Sequence, residues 1–117
     1  MISEILLCAL IAVESGGRDI TGDGGLAVGP LQIHPCVVSD VNRIHHKTFT
    51  LEDRHDITKS KEIARLYINH YAGKSASFQE AAFCWNGGAA FRKAKGKKLK
   101  NLKRYWGRVQ KVLNERR

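Results

Sequence analysis

The first fifteen residues constrain the fold more than any other segment. Apolar side chains cover nearly every side of a helix over residues 2–15: Ile2, Ile5, Leu6, Leu7, Ala9, Leu10, Ile11 and Val13. A helix that is apolar nearly all round must be buried inside a fold. Gly16 and Gly17 end it, because glycine disfavours helix continuation. The sequence therefore predicts a core helix with Glu14 and Ser15 on its last turn.

The remainder of the chain predicts more helices and one glycine-rich interruption. Residues 16–34 contain six glycines and weakly alternating apolar residues, which is typical of a loop or a short β-hairpin. Helical spacing, a proline suited to a first turn and a capping box predict the other elements. These are a helix from Pro35 to about Arg43, a loop over 44–56, helices over 57–72 and 80–85, and a last helix through Leu102 and Leu113. A length of 117 residues predicts one domain, 1–117, in the predominantly α-helical α+β class.

Basic residues concentrate in the second half of the chain. Residues 1–58 hold four basic and eight acidic residues, whereas residues 59–117 hold sixteen and three. The stretch 92–117 alone has twelve basic residues, with Glu115 as its only acid. Such a stretch attracts an anionic polymer or surface, namely nucleic acid, a membrane or a cell-wall glycan, and charge does not choose among them. A solvated helix face explains the same pattern.

Several classes of protein are excluded by composition. Cys8, Cys36 and Cys84 are odd in number and widely spaced, which predicts buried free thiols and no disulfide framework. No zinc-ligand or calcium-loop spacing occurs, so we expect no metal and no cofactor. The longest apolar run, Ile5–Val13, is too short for a membrane span and lacks the positive flank of a signal peptide. No targeting signal is predicted, and we expect synthesis in the cytoplasm.

Glu14 is the most informative candidate for chemistry. A carboxyl group that continues an apolar helix should have its pKa raised by desolvation, as a general acid of glycosidic cleavage requires. A solvated glutamate at a helix end is the simpler interpretation of the same position. Asp19 and Asp23 serve either as turn residues or as a second carboxylate facing Glu14 across a cleft. Asn86, before two glycines, is either a turn residue or an amide directed into a sugar site.

Four short motifs follow one another along the chain. They are Ala12-Val13-Glu14-Ser15-Gly16-Gly17, Ala27-Val28-Gly29-Pro30-Leu31-Gln32-Ile33, Ala82-Phe83-Cys84-Trp85-Asn86-Gly87-Gly88 and Tyr105-Trp106-Gly107-Arg108-Val109. Together they resemble the catalytic domain of the soluble lytic transglycosylases and goose-type lysozymes. The resemblance spans nearly the whole chain and implies a lysozyme-like fold, with a cleft between the glycine-rich segment and the C-terminal helices.

The resemblance also implies roles for individual residues. Glu14 matches the family's catalytic acid, and Asp23 matches the aspartate that positions the attacking water in goose-type lysozymes. The implied substrate-binding residues are Ser15, Gly29, Gln32, His34, Trp85, Asn86 and Tyr105. Two of these depart from the pattern. Trp85 replaces the usual tyrosine, and His34 stands where goose-type enzymes carry another aspartate.

The implied activity is cleavage of the β-1,4 bond between N-acetylmuramic acid and N-acetylglucosamine in peptidoglycan. We expect a lytic transglycosylase that uses Glu14 alone and leaves 1,6-anhydro ends. The alternative is an inverting goose-type muramidase that also uses Asp23. The expected partners are peptidoglycan strands, bound by a monomer acting at the cell wall as an endolysin of a bacterial virus does. Anionic envelope polymers would bind the basic C-terminal stretch.

Two further classes of function remain open from the sequence. A nucleic-acid binder would use the stretch 92–117, with Tyr105 and Trp106 as stacking groups. That interpretation leaves Glu14, Gln32 and Asn86 without a role, so we expect no specific nucleic acid as a partner. A non-catalytic glycan-binding module on the same fold is the other class, and the presence of Glu14 argues against it.

Overall fold

The computed structural model describes residues 2–115 as a mostly helical fold with one small antiparallel sheet. The elements are α1 (Glu4–Ser15), β1 (Thr21–Gly22), β2 (Ala27–Val28), α2 (Pro35–His45), α3 (Ile57–Tyr71), α4 (Phe78–Gly87) and α5 (Gly96–Glu115). Short 3₁₀ turns lie at Asp23–Gly25, Leu51–His55 and Phe91–Lys93. This composition is compatible with the α+β class predicted from the sequence.

Helix α1 lies in the core, as its apolar pattern predicts. The Ser3 hydroxyl accepts a hydrogen bond from the Leu6 amide and caps its start, and Gly16, at φ +67°, ends it. Leu7 and Leu10 are fully buried, while Ile5 is exposed. The core that surrounds them draws on α2, α3, α4 and α5. The end of α1, which carries Glu14, is thereby held in place by packing along the whole helix.

The glycine-rich segment forms a short hairpin, one of the two alternatives the sequence left open. Thr21 pairs with Val28 across β1 and β2, and an isolated bridge joins Val28 to Ile33. A close approach fixes the turn that follows β2. A Cβ on Gly29, whose φ is +85°, would lie 1.8 Å from the Arg54 carbonyl oxygen. Only glycine fits there.

Three segments differ most from their predicted structure. Helix α4 starts directly after its Ser77 cap, because the capping box satisfies the first-turn amides, and it extends through Gly87. Helix α5 begins at Gly96, within the lysine-rich stretch that carries little apolar signal. The predicted loop over 44–56 contains the 3₁₀ turn Leu51–His55, which is closed by a capping box between Thr50 and Asp53. Local capping thus creates order where hydrophobic periodicity is absent.

All three cysteines are free thiols, as predicted, but their predicted burial is only partly correct. Cys84 is buried, Cys8 is partly buried and Cys36 is exposed on the first turn of α2. Within residues 2–115, no three His, Cys, Asp or Glu side chains come together as metal ligands. Over the same residues, none of the helices has the length and apolar character needed to traverse a bilayer.

Candidate functional site

An open cleft of about 270 Å³ lies where the end of α1, the hairpin, the start of α2 and the end of α4 meet. Its lining residues are Glu14, Asp23, Ala27, Gln32, Ile33, His34, Val37, Trp85 and Asn86. Six of the nine site residues proposed from the sequence are in this lining. The remaining three, Ser15, Gly29 and Tyr105, are buried behind it.

Glu14 is a half-buried carboxyl group on the last turn of α1. Burial raises its pKa, and two contacts oppose that rise: a hydrogen bond from Tyr105 and the positive charge of Arg108. The Tyr105 hydroxyl donates to Glu14 Oε2 at 2.8 Å. A carboxyl group that holds its proton more tightly than usual in an open cleft can donate a hydrogen bond or a proton to a ligand oxygen.

Tyr105 supports Glu14 from α5 and is 4% exposed. Burial, followed by the charge of Glu14, raises the pKa of its hydroxyl well above the ordinary value. The hydroxyl therefore stays protonated and keeps donating to the carboxyl group. Tyr105 acts through Glu14 and does not line the cleft.

Ser15 joins the end of α1 to the segment after the hairpin. Its hydroxyl lies 2.8 Å from the Pro30 carbonyl oxygen and 3.2 Å from that of Ile11, and accepts a hydrogen bond from the Gly17 amide at 3.1 Å. These contacts occupy the hydroxyl within the protein. Ser15 therefore has a structural role, as Gly29 has through its close approach to the Arg54 backbone.

Gln32 faces the cleft and also braces the hairpin. Its Nε2 donates to the Ile20 and Gly29 carbonyl oxygens at 2.9 and 3.1 Å. Its Oε1 lies 2.7 Å from the position a Cβ on Gly22 would take, so Gly22 must remain glycine for this arrangement. The backbone of Gln32 has a φ of +52°, an angle that residues other than glycine rarely adopt.

Asp23 and His34 form a pair in the wall of the cleft. Asp23 Oδ2 lies 3.1 Å from His34 Nε2, and both side chains are partly exposed. Asp23 holds a φ of +51° at the start of its 3₁₀ turn. The pair therefore presents a carboxylate and an imidazole that a ligand in the cleft can contact.

Trp85 and Asn86 line the cleft from the end of α4. The Trp85 ring packs edge-to-face on Tyr67, with ring centroids 5.8 Å apart. Asn86 is exposed, so its amide is available at the rim. The cleft thus combines one aromatic face with carboxyl, imidazole and amide groups.

Arg54 is a residue of this region that the sequence interpretation missed. It is 8% exposed, and its guanidinium donates to the Leu26, Ile33 and Leu51 carbonyl oxygens at 3.2, 3.1 and 2.9 Å. It therefore satisfies backbone groups of the hairpin from a turn more than twenty residues away. No local pattern signals this role, because a basic residue in a polar segment is ordinarily solvated.

Comparison with known proteins gives a similarity to a solved structure. No family model matches the chain, and no curated protein matches its sequence. The chain is similar to a chain in the crystal structure of Aeromonas hydrophila PliI in complex with Meretrix lusoria lysozyme. The identity is 25% and the TM-score 0.75, over 95% of this chain and 90% of the other. PliI is a protein inhibitor of lysozyme, so that structure is a lysozyme–inhibitor complex.

This comparison corrects the family, the function and the partner that the four motifs implied. The identification with the soluble lytic transglycosylases and goose-type lysozymes is wrong. That resemblance was the basis for predicting peptidoglycan cleavage, a transglycosylase or muramidase, and an endolysin. These predictions are therefore wrong as well. The prediction of peptidoglycan strands as the partner is contradicted as well, because the similar chain is part of a complex between two proteins.

The physical reason for the error lies in the motifs themselves. They are short runs rich in glycine and alanine, and several of their residues have structural duties here. Ser15 ties a helix end, Gly29 permits a backbone contact and Gln32 braces a hairpin. These duties are contacts within the chain itself, so the residues that perform them do not identify one enzyme family.

Proposed function

We propose that this chain is one member of a lysozyme–inhibitor pair and binds its counterpart protein through the cleft at Glu14. We further propose that its fold is lysozyme-like, with helices around the core and the hairpin beside the cleft. The observation that carries both proposals is the similarity, over nearly the whole chain, to one chain of a lysozyme–inhibitor complex.

The composition of the cleft supports its use as a binding surface. Binding sites in proteins are usually concave and combine an apolar face with a few placed polar groups. Here Trp85 supplies an aromatic face, and Asn86, Glu14 and the Asp23–His34 pair supply donors and acceptors. Aromatic side chains in partly desolvated pockets are frequent energetic centres of protein interfaces.

The rigidity of the cleft supports the same proposal. Glu14 is held by Tyr105, and the hairpin is held by Arg54 and Gln32. A site whose walls are braced before binding loses less conformational entropy when the partner docks. We therefore expect the counterpart to meet a largely preformed surface.

The experiment is a binding measurement against both members of the similar complex. The purified chain is titrated separately with Aeromonas hydrophila PliI and with Meretrix lusoria lysozyme by calorimetry. We expect a one-to-one complex with one of them, with a Kd of about 1 µM or tighter. Asn86→Arg places a long charged side chain on the rim and should weaken that complex at least tenfold. Asn114→Arg makes the same change at an exposed position outside the cleft and should leave it unchanged.

Activity assays then decide which member this chain corresponds to. Binding of lysozyme, with loss of that lysozyme's activity, assigns the chain to the inhibitor. Binding of PliI, with lysis of cell-wall suspensions that disappears in Glu14→Gln, assigns it to the lysozyme, because glycosidic cleavage needs a proton donor in the cleft. Binding of neither protein, or equal binding by the Asn86 and Asn114 variants, contradicts the proposal.

A further inference from the structure

Helix α5 has two faces of opposite character. Leu102, Tyr105 and Val109 are buried and pack into the core. Positions three and four apart on the other side carry a line of basic side chains: Lys97, Lys100, Arg104, Arg108 and Lys111. We call this line the cationic stripe, and at the helical rise per residue it is about 21 Å long.

The basic groups of α5 lack the acidic partners that other basic residues of the chain have. Within residues 2–115, Arg43, Lys47, Lys61, Arg65 and Arg92 each form an ion pair. No ion pair with a basic residue of α5 occurs over the same residues. Lys97, Lys100 and Arg104, together with Gly96 and Asn101, line a surface depression of about 550 Å³. The positive charge is therefore concentrated, and over the same residues it has no ion-pair partner.

The cationic stripe reaches the proposed binding cleft. Arg108 donates a hydrogen bond to the Val13 carbonyl oxygen at 3.1 Å, one residue before Glu14. Its charge also opposes the rise in the pKa of Glu14, which shows that the two groups are electrostatically coupled. A partner seated in the cleft can thus extend over α5 without leaving the molecular surface.

We infer that the cationic stripe is a second contact surface for the counterpart protein and binds an acidic segment of it, next to the cleft. This inference rests on the proposed function. Complementary charge beside a docking site steers association and raises its rate, with a steep dependence on salt. The cationic stripe therefore favours partners that carry acidic residues beside the group that enters the cleft.

The aromatic residues of α5 argue against a single-stranded nucleic acid as the occupant. Such ligands need exposed rings on which bases stack. Tyr105 is 4% exposed and bound to Glu14, and Trp106 packs against the core. The stripe therefore offers charge without stacking platforms, which suits carboxylates on a folded protein.

Two charge-reversal variants of the same helix test the inference. Lys100→Glu with Arg104→Glu changes the cationic stripe, whereas Lys98→Glu with Lys103→Glu makes the same net change at exposed positions beside it. The association rate constant is measured with whichever of PliI and Meretrix lusoria lysozyme the unmodified chain binds. At about 0.05 M salt we expect the stripe variant to associate at least tenfold more slowly, and the control less than threefold. The difference should close near 1 M salt, where the screening length is about 3 Å.

The outcomes separate the inference from the function on which it rests. Binding of neither protein by the unmodified chain overturns both. Binding with equal rates for the two variants overturns the inference alone, because net charge then explains the attraction. A competition with short duplex DNA at 0.15 M salt completes the test. If duplex DNA at equal concentration displaces the counterpart, the cationic stripe is a general polyanion site and the inference of an acidic protein segment is overturned. If the DNA does not displace the counterpart, the inference is supported.

Discussion

The hairpin, which lines the cleft, and helix α5, which supports Glu14 from behind it, are held in place in different ways. The hairpin depends on single polar contacts and unusual backbone angles, with positive φ at Asp23, Gly29 and Gln32. Helix α5 depends on a repeated apolar face, and most residues between its buried positions are exposed, with Trp106 partly buried against the core. The difference teaches that the hairpin lining the cleft is specified residue by residue, whereas the supporting helix is specified by a periodic pattern. Substitutions should therefore be costly in the first and mild in the second.

The largest expected effect is that of Gly29→Ala in the hairpin. The new Cβ would meet the Arg54 carbonyl oxygen at 1.8 Å, and φ at this position is +85°. We expect the free energy of unfolding, measured by urea denaturation, to fall by at least about 3 kcal/mol. Gly17→Ala is the matched control, since it has a similar φ of +86° but no atom within 4 Å of its Cβ. Equal losses in the two variants would show that backbone strain, and not the close approach, limits the hairpin.

The next effect is that of Arg54→Ala, which removes the brace of the hairpin. Three hydrogen bonds from the buried guanidinium would be lost, although the Ile33 carbonyl oxygen keeps the Val28 amide as a donor. A hydrogen bond from a charged group contributes about 1.5–3 kcal/mol. We expect a destabilisation of about 2–4 kcal/mol in urea unfolding. Arg104→Ala, on the exposed face of α5, should change stability by less than about 0.5 kcal/mol. A comparable loss at Arg104 would contradict the contrast between the hairpin and α5.

Glu14→Gln should change the dependence of stability on pH. Burial raises the pKa of Glu14 in the folded state, so the native protein binds this proton more tightly than the unfolded chain. The stabilising contribution is complete below the ordinary pKa of 4.5 and is lost as pH rises through the folded value. The variant, which stays neutral, should therefore have the higher Tm at pH 7, and the two Tm values should converge toward pH 4.

A second glutamate provides a control of opposite sign. The Ser77 cap and Arg92 lower the pKa of Glu80, so its contribution is present above the ordinary value and is lost as pH falls. Glu80→Gln should therefore lower Tm at neutral pH, with the difference shrinking in acid. Parallel shifts in the two variants would contradict the assignment of the Glu14 effect to burial.

The smallest expected effect is that of Gly107→Ala in α5. No atom lies within 4 Å of the position of its Cβ, and alanine favours a helix over glycine by about 0.5–1 kcal/mol. We expect the free energy of unfolding to rise by that amount in urea denaturation. A loss of stability would mean that this face of α5 packs against something, contrary to its exposure.

Many of the helices were predictable because local sequence patterns determine them. The apolar run of α1, the proline at the start of α2, the Ser77 capping box and the spacing through Leu102 each act within a few residues. The position of Glu14 at the end of a core helix, and the rise in its pKa, followed from the same run. The inward role of Arg54 did not follow, because its partners lie 21 and 28 residues away.

The sequence by itself determined which segments form helices, where α1 ends and that positive charge gathers on the last helix. The tertiary structure alone decided that Tyr105 donates to Glu14 across 91 residues, and that Ser15, Gly29 and Gln32 are occupied with holding the backbone. The physical reason is range. Periodicity and capping act over one or two turns, whereas a cleft is built from side chains whose meeting depends on how whole elements pack. The order of motif residues along the chain does not reveal whether their side chains face a ligand or the protein interior. The family assignment was wrong because it treated residues that hold the backbone as residues that bind a substrate.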